Sequence, residues 1–491
     1  MSAESGFVKI LNFIDGQFCE PVSGNYCDNI NPSTGAVYSQ WAQSNENDVE
    51  LAVNASKKAF PRWKSLSNGQ RSKILHRWAD LIDENLERLA VAESIDNGKP
   101  ISVSKAVDIP RSSKNLRFFA DYILEIEPEI FEMPGEAMNY IERDPLGVVV
   151  AISPWNLPLY LFTWKVAPAL AFGNTVVAKP SEVTPMTAFL LAELSLQAGV
   201  PPGVFNVVHG TGQDVGQALV THPDVKAVTF TGSTQTGRII AKQVSPLFKK
   251  LSLEMGGKNP NIVFADCDFE SAISTTMRSS FANQGQICLC GSRVYVESSI
   301  YEKFKAELVN RTKNLVQGDP LSLDTEQGAV VSKTHFEKIL GCIDQAKKDG
   351  GKIIIGGEPF NGAGENASGF FIQPTIIENL SQSCAGNQQE IFGPVITICP
   401  FVSEDQVIEW ANGTEYGLAG SVWTADIEKA RRVAKQLESG IVWINTWMLR
   451  DLRTPFGGMK NSGVGREGGQ SAYHFFTEPK TVCVKLGGQN V

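Results

Sequence analysis

The run Gly147-Val-Val-Val-Ala-Ile152 marks the place where helical periodicity in the chain gives way to short apolar segments. Three further runs follow it, separated by helical stretches: Thr175-Val-Val-Ala178, Phe205-Asn-Val-Val208 and Ala227-Val-Thr-Phe230. Apolar runs of this length are typical of parallel strands that are buried on both faces and joined by helices. The sequence therefore predicts an α/β protein with a doubly wound sheet of the nucleotide-binding kind.

A second set of apolar runs lies C-terminal to the first. It comprises residues 261–264, 293–296, 352–355, 395–398 and 441–444. We therefore expect a second α/β unit that begins shortly after Glu254. On the N-terminal side, apolar residues recur at helical spacing between 49 and 97, which predicts two amphipathic helices that serve only to pack.

Length and composition are those of a large globular protein. The 491 residues exceed one typical domain, and the net charge of -9 is modest for this length. The 44 lysines and arginines are scattered, so we expect no nucleic-acid partner. Nine cysteines form no regular pattern and five histidines lie far apart, which favours a reducing compartment and predicts no metal site.

The chain shows no targeting or membrane signal. Its first residues, Met-Ser-Ala-Glu-Ser-Gly, lack the basic and apolar regions of a signal peptide. No window approaches ~20 apolar residues. We therefore expect a cytoplasmic location and no membrane partner.

Two segments carry residues suited to covalent chemistry, Phe281-Ala-Asn-Gln-Gly-Gln-Ile-Cys288 and Leu253-Glu254-Met-Gly-Gly-Lys258. The thiolate is the reactive form of cysteine, and a carboxylate can take a proton from water in a later step. Cys288 and Glu254 are therefore candidates for a nucleophile and a base. Each residue alone also fits a plainer interpretation, in which Cys288 is a buried core thiol and Glu254 is a surface acid.

Three motifs, Glu254-Met-Gly-Gly-Lys258, Gly285-Gln-Ile-Cys288 and Glu390-Ile-Phe-Gly-Pro394, resemble the signature of the NAD(P)-dependent aldehyde dehydrogenase superfamily. The resemblance runs over essentially the whole chain. It implies a Rossmann-type NAD-binding domain, an α/β catalytic domain and a small β element for oligomerisation, in a homodimer or homotetramer. The implied bounds are 1–121 and 144–255 for the first, 256–456 for the second, and 122–143 with 472–491 for the third.

The same resemblance assigns the chemistry. Cys288 would attack the aldehyde carbon, and the Asn156 side-chain amide would pair with the Cys288 backbone N–H to hold the oxyanion of a thiohemiacetal. Hydride would then pass to the nicotinamide, and Glu254 would activate the water that hydrolyses the remaining thioester. The Gly-Gln-x-Cys frame favours Cys288 over Cys290, which we expect to be a packing thiol or a partner in reversible oxidation.

A glycine-rich segment, Gly210-Thr-Gly212-Gln-Asp-Val-Gly216, follows a predicted strand, but its glycine spacing is one residue too long for the dinucleotide fingerprint. The resemblance points instead to Phe230-Thr-Gly232-Ser233-Thr-Gln-Thr-Gly237, which could otherwise be an ordinary capped helix start. A carboxylate at Glu182 would repel a 2′-phosphate, which favours NAD over NADP. The residues expected to bind the cofactor are Trp155, Lys179, Ser181, Glu182, Gly232, Ser233, Glu390 and Phe392.

Two arginines, Arg111 and Arg450, fall in segments that line the substrate tunnel in the superfamily. Arginine binds carboxylates through two parallel hydrogen bonds, so the pair predicts a carboxylated aldehyde as the small-molecule partner. With motifs such as Ser153-Pro-Trp-Asn-Leu-Pro-Leu-Tyr160, they resemble the branch that oxidises 2-aminomuconate and 2-hydroxymuconate 6-semialdehydes in tryptophan or aromatic catabolism. The plainer interpretation is a pair of surface salt bridges, with Arg450 bound to Asp451 or Glu467.

Two rival functions stay open at this stage. One is a betaine-aldehyde or general aliphatic aldehyde dehydrogenase, although a cationic substrate calls for aromatic or acidic walls rather than arginines. The other is a non-catalytic binding or structural member of the fold. The intact set of Cys288, Glu254 and Asn156 counts against the second, and NADH production on a panel of aldehydes distinguishes all of these functions.

Overall fold

The computed structural model describes residues 7–486, which are built around two large β-sheets. Hydrophobic clusters cover both faces of each sheet, so the strands at the centre of each sheet are buried. The expectation for residues 1–6, that they lack a signal peptide, concerns a segment outside the described residues. Residues 487–491 of the predicted oligomerisation element also lie outside them.

The first sheet has eight strands and contains all four apolar runs of the predicted nucleotide-binding sheet. Its five consecutive parallel strands form the doubly wound core that the sequence predicts, and the three outer strands pair antiparallel. In spatial order the strands are Gly463–Val464, Lys250–Glu254, Val225–Thr231, Val148–Ile152, Thr175–Lys179, Phe205–Val207, Asn12–Ile14 and Gln17–Cys19.

The second sheet has seven strands and corresponds to the second α/β unit expected after Glu254. Six strands run parallel, and the first pairs antiparallel with its neighbour. Two strands, Thr375–Glu378 and Ala419–Trp423, lie outside the runs named from the sequence. In spatial order the strands are Lys352–Ile355, Thr375–Glu378, Val395–Phe401, Arg293–Glu297, Pro260–Val263, Ala419–Trp423 and Ile441–Ile444.

A separate three-stranded antiparallel sheet joins the hairpin Glu129–Met133 and Ala137–Pro145 to the late strand Thr477–Lys485. These are the strands expected for the oligomerisation element, although its predicted first residue, Tyr122, instead ends a helix. The domain bounds given above remain a prediction. Two smaller sheets contain Val8–Ile10, Ala36–Ala42 and Tyr26–Asn31, and Tyr416–Gly417 with Met459–Lys460.

Sixteen α-helices pack around these sheets within the described range. Five short 3₁₀ or π segments supplement them, at Ser104–Asp108, Gly212–Gly216, Ser245–Leu247, Ala282–Gly285 and Gly364–Ser368. The α-helices are Glu46–Lys64, Asn68–Glu84, Leu86–Asn97, Ile101–Val103, Ile109–Tyr122, Pro158–Ala171, Met186–Gln197, Gln217–Thr221, Thr234–Val244, Phe269–Phe281, Tyr301–Lys313, Lys333–Lys348, Ala385–Gln388, Glu404–Asn412, Ile427–Gln436 and Gly469–Phe476.

The segment between residues 49 and 97 holds three helices rather than the two predicted. Asn85 interrupts the helix, because its φ of -108° and ψ of 20° lie outside the helical region and separate Asn68–Glu84 from Leu86–Asn97. The apolar spacing continues across this break, so periodicity alone does not show it.

Two kinds of feature are absent from residues 7–486. No helix there is both long and apolar enough to cross a membrane. No cluster of three or more His, Cys, Asp or Glu side chains there could hold a metal ion.

Candidate active site

Parallel pairing brings the predicted site residues to one edge of the first sheet. Ile152 pairs with Lys179 on one side and with Phe230 on the other, while Thr231 pairs with Glu254. The strands that contain Ile152 and Phe230 are neighbours in space but not in sequence, which makes a topological switch point between them. Ligands of open α/β sheets bind in the crevice beyond the carboxyl ends of the strands at such a point.

The nucleophile loop begins with a strained turn. Asn283, Gln284 and Gly285 have φ angles of 51°, 55° and 68°, all in the left-handed region. A Cβ on Gly285 would lie 2.0 Å from the carbonyl oxygen of Gly393, so only glycine fits there. The Asn283 side-chain amide donates to the Asn156 carbonyl at 2.9 Å. The turn therefore fixes the nucleophile loop against the loop that carries Asn156, and backbone strain of this kind is concentrated at functional sites.

Cys288 lines a cavity at the switch point, where its side chain is half-buried. Burial and the carboxyl groups of Glu390 and Glu254 raise the pKa of this thiol. The resting thiol is therefore protonated, and forming the thiolate needs a proton acceptor or an added positive charge nearby. Burial also raises the pKa of Cys290, which packs in an apolar cluster as expected of a packing thiol.

The loop after strand Val148–Ile152 holds Asn156 in a buried position. Its side-chain amide donates to the Gln286 carbonyl at 2.9 Å, which places the amide against the nucleophile loop. The preceding Trp155 carbonyl accepts a hydrogen bond from the Asn97 side chain at 2.8 Å. The expectation that the N-terminal helices only pack is therefore wrong for the helix that ends at Asn97.

The Glu254 carboxyl group is buried, and neither of its oxygens has a hydrogen-bond partner within residues 7–486. Burial and the negative charge of Glu467 raise the pKa of Glu254, while the positive charge of Lys165 opposes them. Lys165 and Glu467 form their own ion pair at 2.8 Å. Glu254 therefore loses its proton at a higher pH than an ordinary glutamate does. A carboxyl group with a raised pKa is better suited to act as a general base near neutral pH.

A cavity of about 220 Å³ lies over the switch point. Seven predicted site residues line it: Trp155, Asn156, Gly232, Ser233, Cys288, Glu390 and Phe392. At one side Ser233 caps the helix Thr234–Val244, its hydroxyl accepting the Thr236 N–H at 3.2 Å. A helix N-terminus with free backbone N–H groups is a favourable place for a phosphate.

Glu390 enters this cavity through space left by a glycine pair. Its Oε1 accepts the Gly257 N–H at 3.0 Å, and a Cβ on Gly256 would lie 2.2 Å from its Oε2. Phe392 stands beside it with its ring centroid 5.2 Å from that of Trp155. These contacts give the cavity one carboxyl group and one aromatic wall, which fit a ribose and a planar ring.

Lys179, Ser181 and Glu182 lie beyond the lining of this cavity, at the end of the neighbouring strand Thr175–Lys179. The Lys179 Nζ donates to the Glu182 carboxylate at 3.0 Å, and the Ser181 hydroxyl accepts the Val183 N–H at 3.4 Å. The Glu182 side chain is 39% exposed and so stays open to a ligand. This group extends the crevice away from Cys288 along the edge of the sheet.

A second cavity, of about 310 Å³, approaches the nucleophile loop at Leu289 and is lined by both predicted arginines. The Arg111 Cζ lies 5.3 Å from the ring centroid of Tyr160, and the Arg450 Cζ lies 4.0 Å from that of Phe456. Aromatic rings hold the guanidinium groups in place without using their N–H donors. The structure therefore brings both arginines into one cavity, called the tunnel below, which is also lined by Leu289, the residue directly after Cys288.

Neither arginine makes the salt bridge of the plainer interpretation. Asp451 pairs with Arg453, and Glu467 pairs with the lysine described above. Buried guanidinium nitrogens remain without hydrogen-bond partners in the described part of the chain, namely Nε of Arg111 and Nε and Nη2 of Arg450. Burial lowers the pKa of Arg450 from its usual value, although an arginine stays protonated in proteins.

Some site residues have no clear sequence signal. The Asn259 amide donates to the carbonyls of Cys288 at 2.7 Å and Cys290 at 2.9 Å, and only its place directly after the Glu-Met-Gly-Gly-Lys motif could have suggested this. The Lys165–Glu467 pair joins residues 302 positions apart, which no local pattern can show.

Comparison with known proteins places the chain in a family. It matches the model of the aldehyde dehydrogenase family over residues 18–482. The chain therefore belongs to this family, and the resemblance seen in its motifs is confirmed.

Individual proteins that are similar to this chain are also named as aldehyde dehydrogenases. The chain is 49% identical over 488 residues to the 2-aminomuconic semialdehyde dehydrogenase of Danio rerio, a match that covers 99% of this chain and 100% of that protein. It is 46% identical over 484 residues to the 2-hydroxymuconic semialdehyde dehydrogenase of Pseudomonas sp. (strain CF600), covering 97% and 100%. The NAD+ complex of an aldehyde dehydrogenase from Bacillus cereus superposes with a TM-score of 0.95 at 39% identity, covering 98% and 97%, which confirms the predicted fold.

The two neighbouring cysteines can be told apart by substitution. Cys288→Ser should abolish aldehyde oxidation, because a serine hydroxyl is a weaker nucleophile than a cysteine thiolate. NAD binding should stay intact, because serine keeps the shape of the cavity wall. Cys290→Ser should retain substantial activity. NADH production and NAD titration measure the two effects, and an inactive Cys290→Ser beside an active Cys288→Ser would contradict the assignment.

Proposed function

We propose that this chain oxidises a carboxylated, unsaturated aldehyde to its acid with NAD as hydride acceptor, through a covalent intermediate on Cys288. The proposed substrate is 2-aminomuconate or 2-hydroxymuconate 6-semialdehyde, the aldehydes in the names of the two relatives described above. The observation that carries the proposal is a pair of half-buried arginines with buried guanidinium nitrogens, Nε of Arg111 and Nε and Nη2 of Arg450, that have no protein partner within residues 7–486.

Burying a charged group without a partner is costly, so such groups are normally paired. A carboxylate in the tunnel would supply the missing acceptor, and each charged hydrogen bond would contribute about 1.5–3 kcal/mol. The tunnel lining includes a third cation, Lys114, and no acidic residue among the described residues. This charge balance favours an anion and disfavours the cationic substrate of the betaine-aldehyde alternative.

The residues present fit NAD. When bound, NAD would supply the pyridinium ring that accepts hydride and would add a positive charge to the cavity that Cys288 lines. Ser233 and the N-terminus of its helix offer donors for the pyrophosphate, and the Glu390 carboxyl group offers an acceptor for a ribose. Glu182 would bind the other ribose and oppose a 2′-phosphate, which supports NAD over NADP.

In the proposed reaction the Cys288 sulfur, having lost its proton, attacks the aldehyde carbon and forms a C–S bond. The Asn156 amide and the Cys288 backbone N–H stabilise the resulting oxyanion. Collapse of this thiohemiacetal would pass hydride from the former aldehyde carbon to bound NAD, the acceptor named above, and leave a thioester on Cys288. Glu254 then takes a proton from water, whose oxygen attacks the thioester carbon and releases the carboxylic acid and the thiol.

We also propose a cytoplasmic homodimer or homotetramer. The nine cysteines within the described residues are free thiols, which fits a reducing compartment. The edge strand Glu129–Met133 exposes 53% of Ile130 and 58% of Phe131, an apolar surface that a second copy of the chain could cover.

Glu254 should leave a pH signature. Because its pKa is raised, deacylation should accelerate as pH rises through that pKa, and kcat should rise with it where hydrolysis limits turnover. Glu254→Gln should flatten this rise and accumulate a thioester on Cys288, seen by mass spectrometry after a single turnover. Full steady-state activity without an adduct would remove Glu254 from the mechanism.

The arginines should determine substrate choice. Arg111→Ala or Arg450→Ala should lower kcat/KM for 2-hydroxymuconate 6-semialdehyde by about 10–10², with far less effect on neutral 2,4-hexadienal of the same length. Lysine at either position should rescue only partly, because it lacks the planar fork.

Arg453→Ala is the matched control, since Arg453 lines a neighbouring cavity that also contains Arg450 and is already paired with Asp451. Its kinetics should stay close to those of the wild type. Equal losses on both aldehydes in the Arg111 and Arg450 variants would mean that these arginines support structure rather than bind substrate.

A further inference from the structure

Lys99 is a fully buried lysine in the turn between helices Leu86–Asn97 and Ile101–Val103. Its Nζ donates to the backbone carbonyl of Asn156 at 3.0 Å and to the Asp108 carboxylate. A second buried carboxyl group, Glu93, lies 3.6 Å from the same nitrogen. One ammonium group thus contacts three separate segments of the chain.

Two of these segments carry opposite ends of the proposed substrate site. Asn156 bears the amide assigned to the oxyanion. Asp108 directly precedes the helix Ile109–Tyr122, whose first turn carries Arg111. The backbone before Arg111 is a π-helical turn, Ser104–Asp108, an irregularity that is common at functional sites.

We propose that Lys99 is a positioning residue for aldehyde oxidation, which sets the Asn156 loop and the Arg111 helix at a fixed separation. The inference rests on the proposed function for two roles, carboxylate binding by Arg111 and oxyanion stabilisation by Asn156. A substrate that is held at its carboxylate and reacts at its aldehyde needs both groups in register, because a misplacement of about 1 Å can cost about 10² in rate.

The surrounding contacts show why a charged residue stands here. Neutral donors already reach the loop, from Asn97 to the Trp155 carbonyl and from Asn283 to the Asn156 carbonyl. Neither of them contacts the arginine helix, whereas Lys99 bonds both the loop and Asp108. Lys99 therefore joins the loop to Asp108 through a single ammonium group, which neither of these two neutral donors does.

The cluster is also arranged to keep its charge balanced. Burial raises the pKa of both Glu93 and Asp108, while the Lys99 ammonium lowers both. One carboxylate can then pair with the ammonium while the other carboxyl group keeps a proton. Glu93 Oε1 also accepts the Leu159 N–H at 3.4 Å, which ties the same cluster to the start of helix Pro158–Ala171.

The test uses substitutions that leave no unpaired charge in the core, because burial raises the pKa of the remaining Glu93 and this carboxyl group can keep its proton once Lys99 is removed. Lys99→Met alone would strand the carboxylates and could prevent folding, so the main variant is the double change Lys99→Met with Asp108→Asn. Asp108→Asn alone removes the ion pair between Lys99 and the residue before the Arg111 helix, while Lys99 keeps its hydrogen bond to the Asn156 carbonyl. Lys249→Met is the control, because Lys249 also donates to two carbonyls, of Val220 and His222, but lies away from the site.

Three quantities are measured on the full-length protein: the single-turnover rate of NADH formation with 2,4-hexadienal, KM for 2-hydroxymuconate 6-semialdehyde, and Kd for NAD. The double variant should lose about 10-fold or more in the single-turnover rate and keep its Kd for NAD. Asp108→Asn should raise KM for the carboxylated aldehyde several-fold and change the neutral rate less. Lys249→Met should change none of these three quantities.

A folded double variant whose single-turnover rate stays within about twofold of the wild type would overturn the proposal. So would an Asp108→Asn variant whose KM is unchanged, since Lys99 would then not govern the arginine helix. Should the wild type show no preference for the carboxylated aldehyde, the proposed function fails, but the rate with 2,4-hexadienal still tests Lys99 at the Asn156 loop.

Discussion

Parallel pairing of buried strands is the constraint on which the site depends. Because neighbouring strands end at the same edge of the sheet, the loop of Asn156, the helix start at Ser233 and the carboxyl group of Glu254 meet there. The second sheet then supports the opposite wall, from which Cys288 and Glu390 face the same crevice. Residues that lie far apart in sequence become one site because the strands between them cannot pair otherwise without losing their buried ladder of hydrogen bonds.

Electrostatics divide this crevice into two sides. On the side of the 220 Å³ cavity, burial and the carboxyl groups of Glu390 and Glu254 raise the pKa of the Cys288 thiol, so the resting thiol is protonated. On the tunnel side, Arg111 and Arg450 are half-buried against aromatic rings, and their buried nitrogens have no hydrogen-bond partner within residues 7–486. The protein thus keeps ionisable groups away from water on both sides, at a cost in stability that bound ligands would offset.

The sequence predicts the fold class and family because both rest on local signals. Apolar runs identify buried strands, and the frames around Glu254, Cys288 and Glu390 are contiguous motifs. The family and the fold are confirmed by comparison, whereas the roles of the individual site residues and the domain bounds remain predictions.

What the sequence does not show depends on contacts between distant segments. Lys99 has no motif of its own, and its role follows only from what lies around it in space. The break at Asn85 is equally invisible to periodicity, because the helical spacing of apolar residues continues past it. The partners of Asp451 and Glu467 likewise emerge only from the folded chain, and they exclude the salt bridges proposed for Arg450.

The central claim is that the tunnel selects an aldehyde by its distant carboxylate. Its most direct test is the ratio of kcat/KM for the wild-type protein with 2-hydroxymuconate 6-semialdehyde and with 2,4-hexadienal, followed by NADH absorbance. Two charged contacts of ordinary strength predict a ratio of at least about 10² in favour of the carboxylated aldehyde. A ratio near or below one would contradict the account.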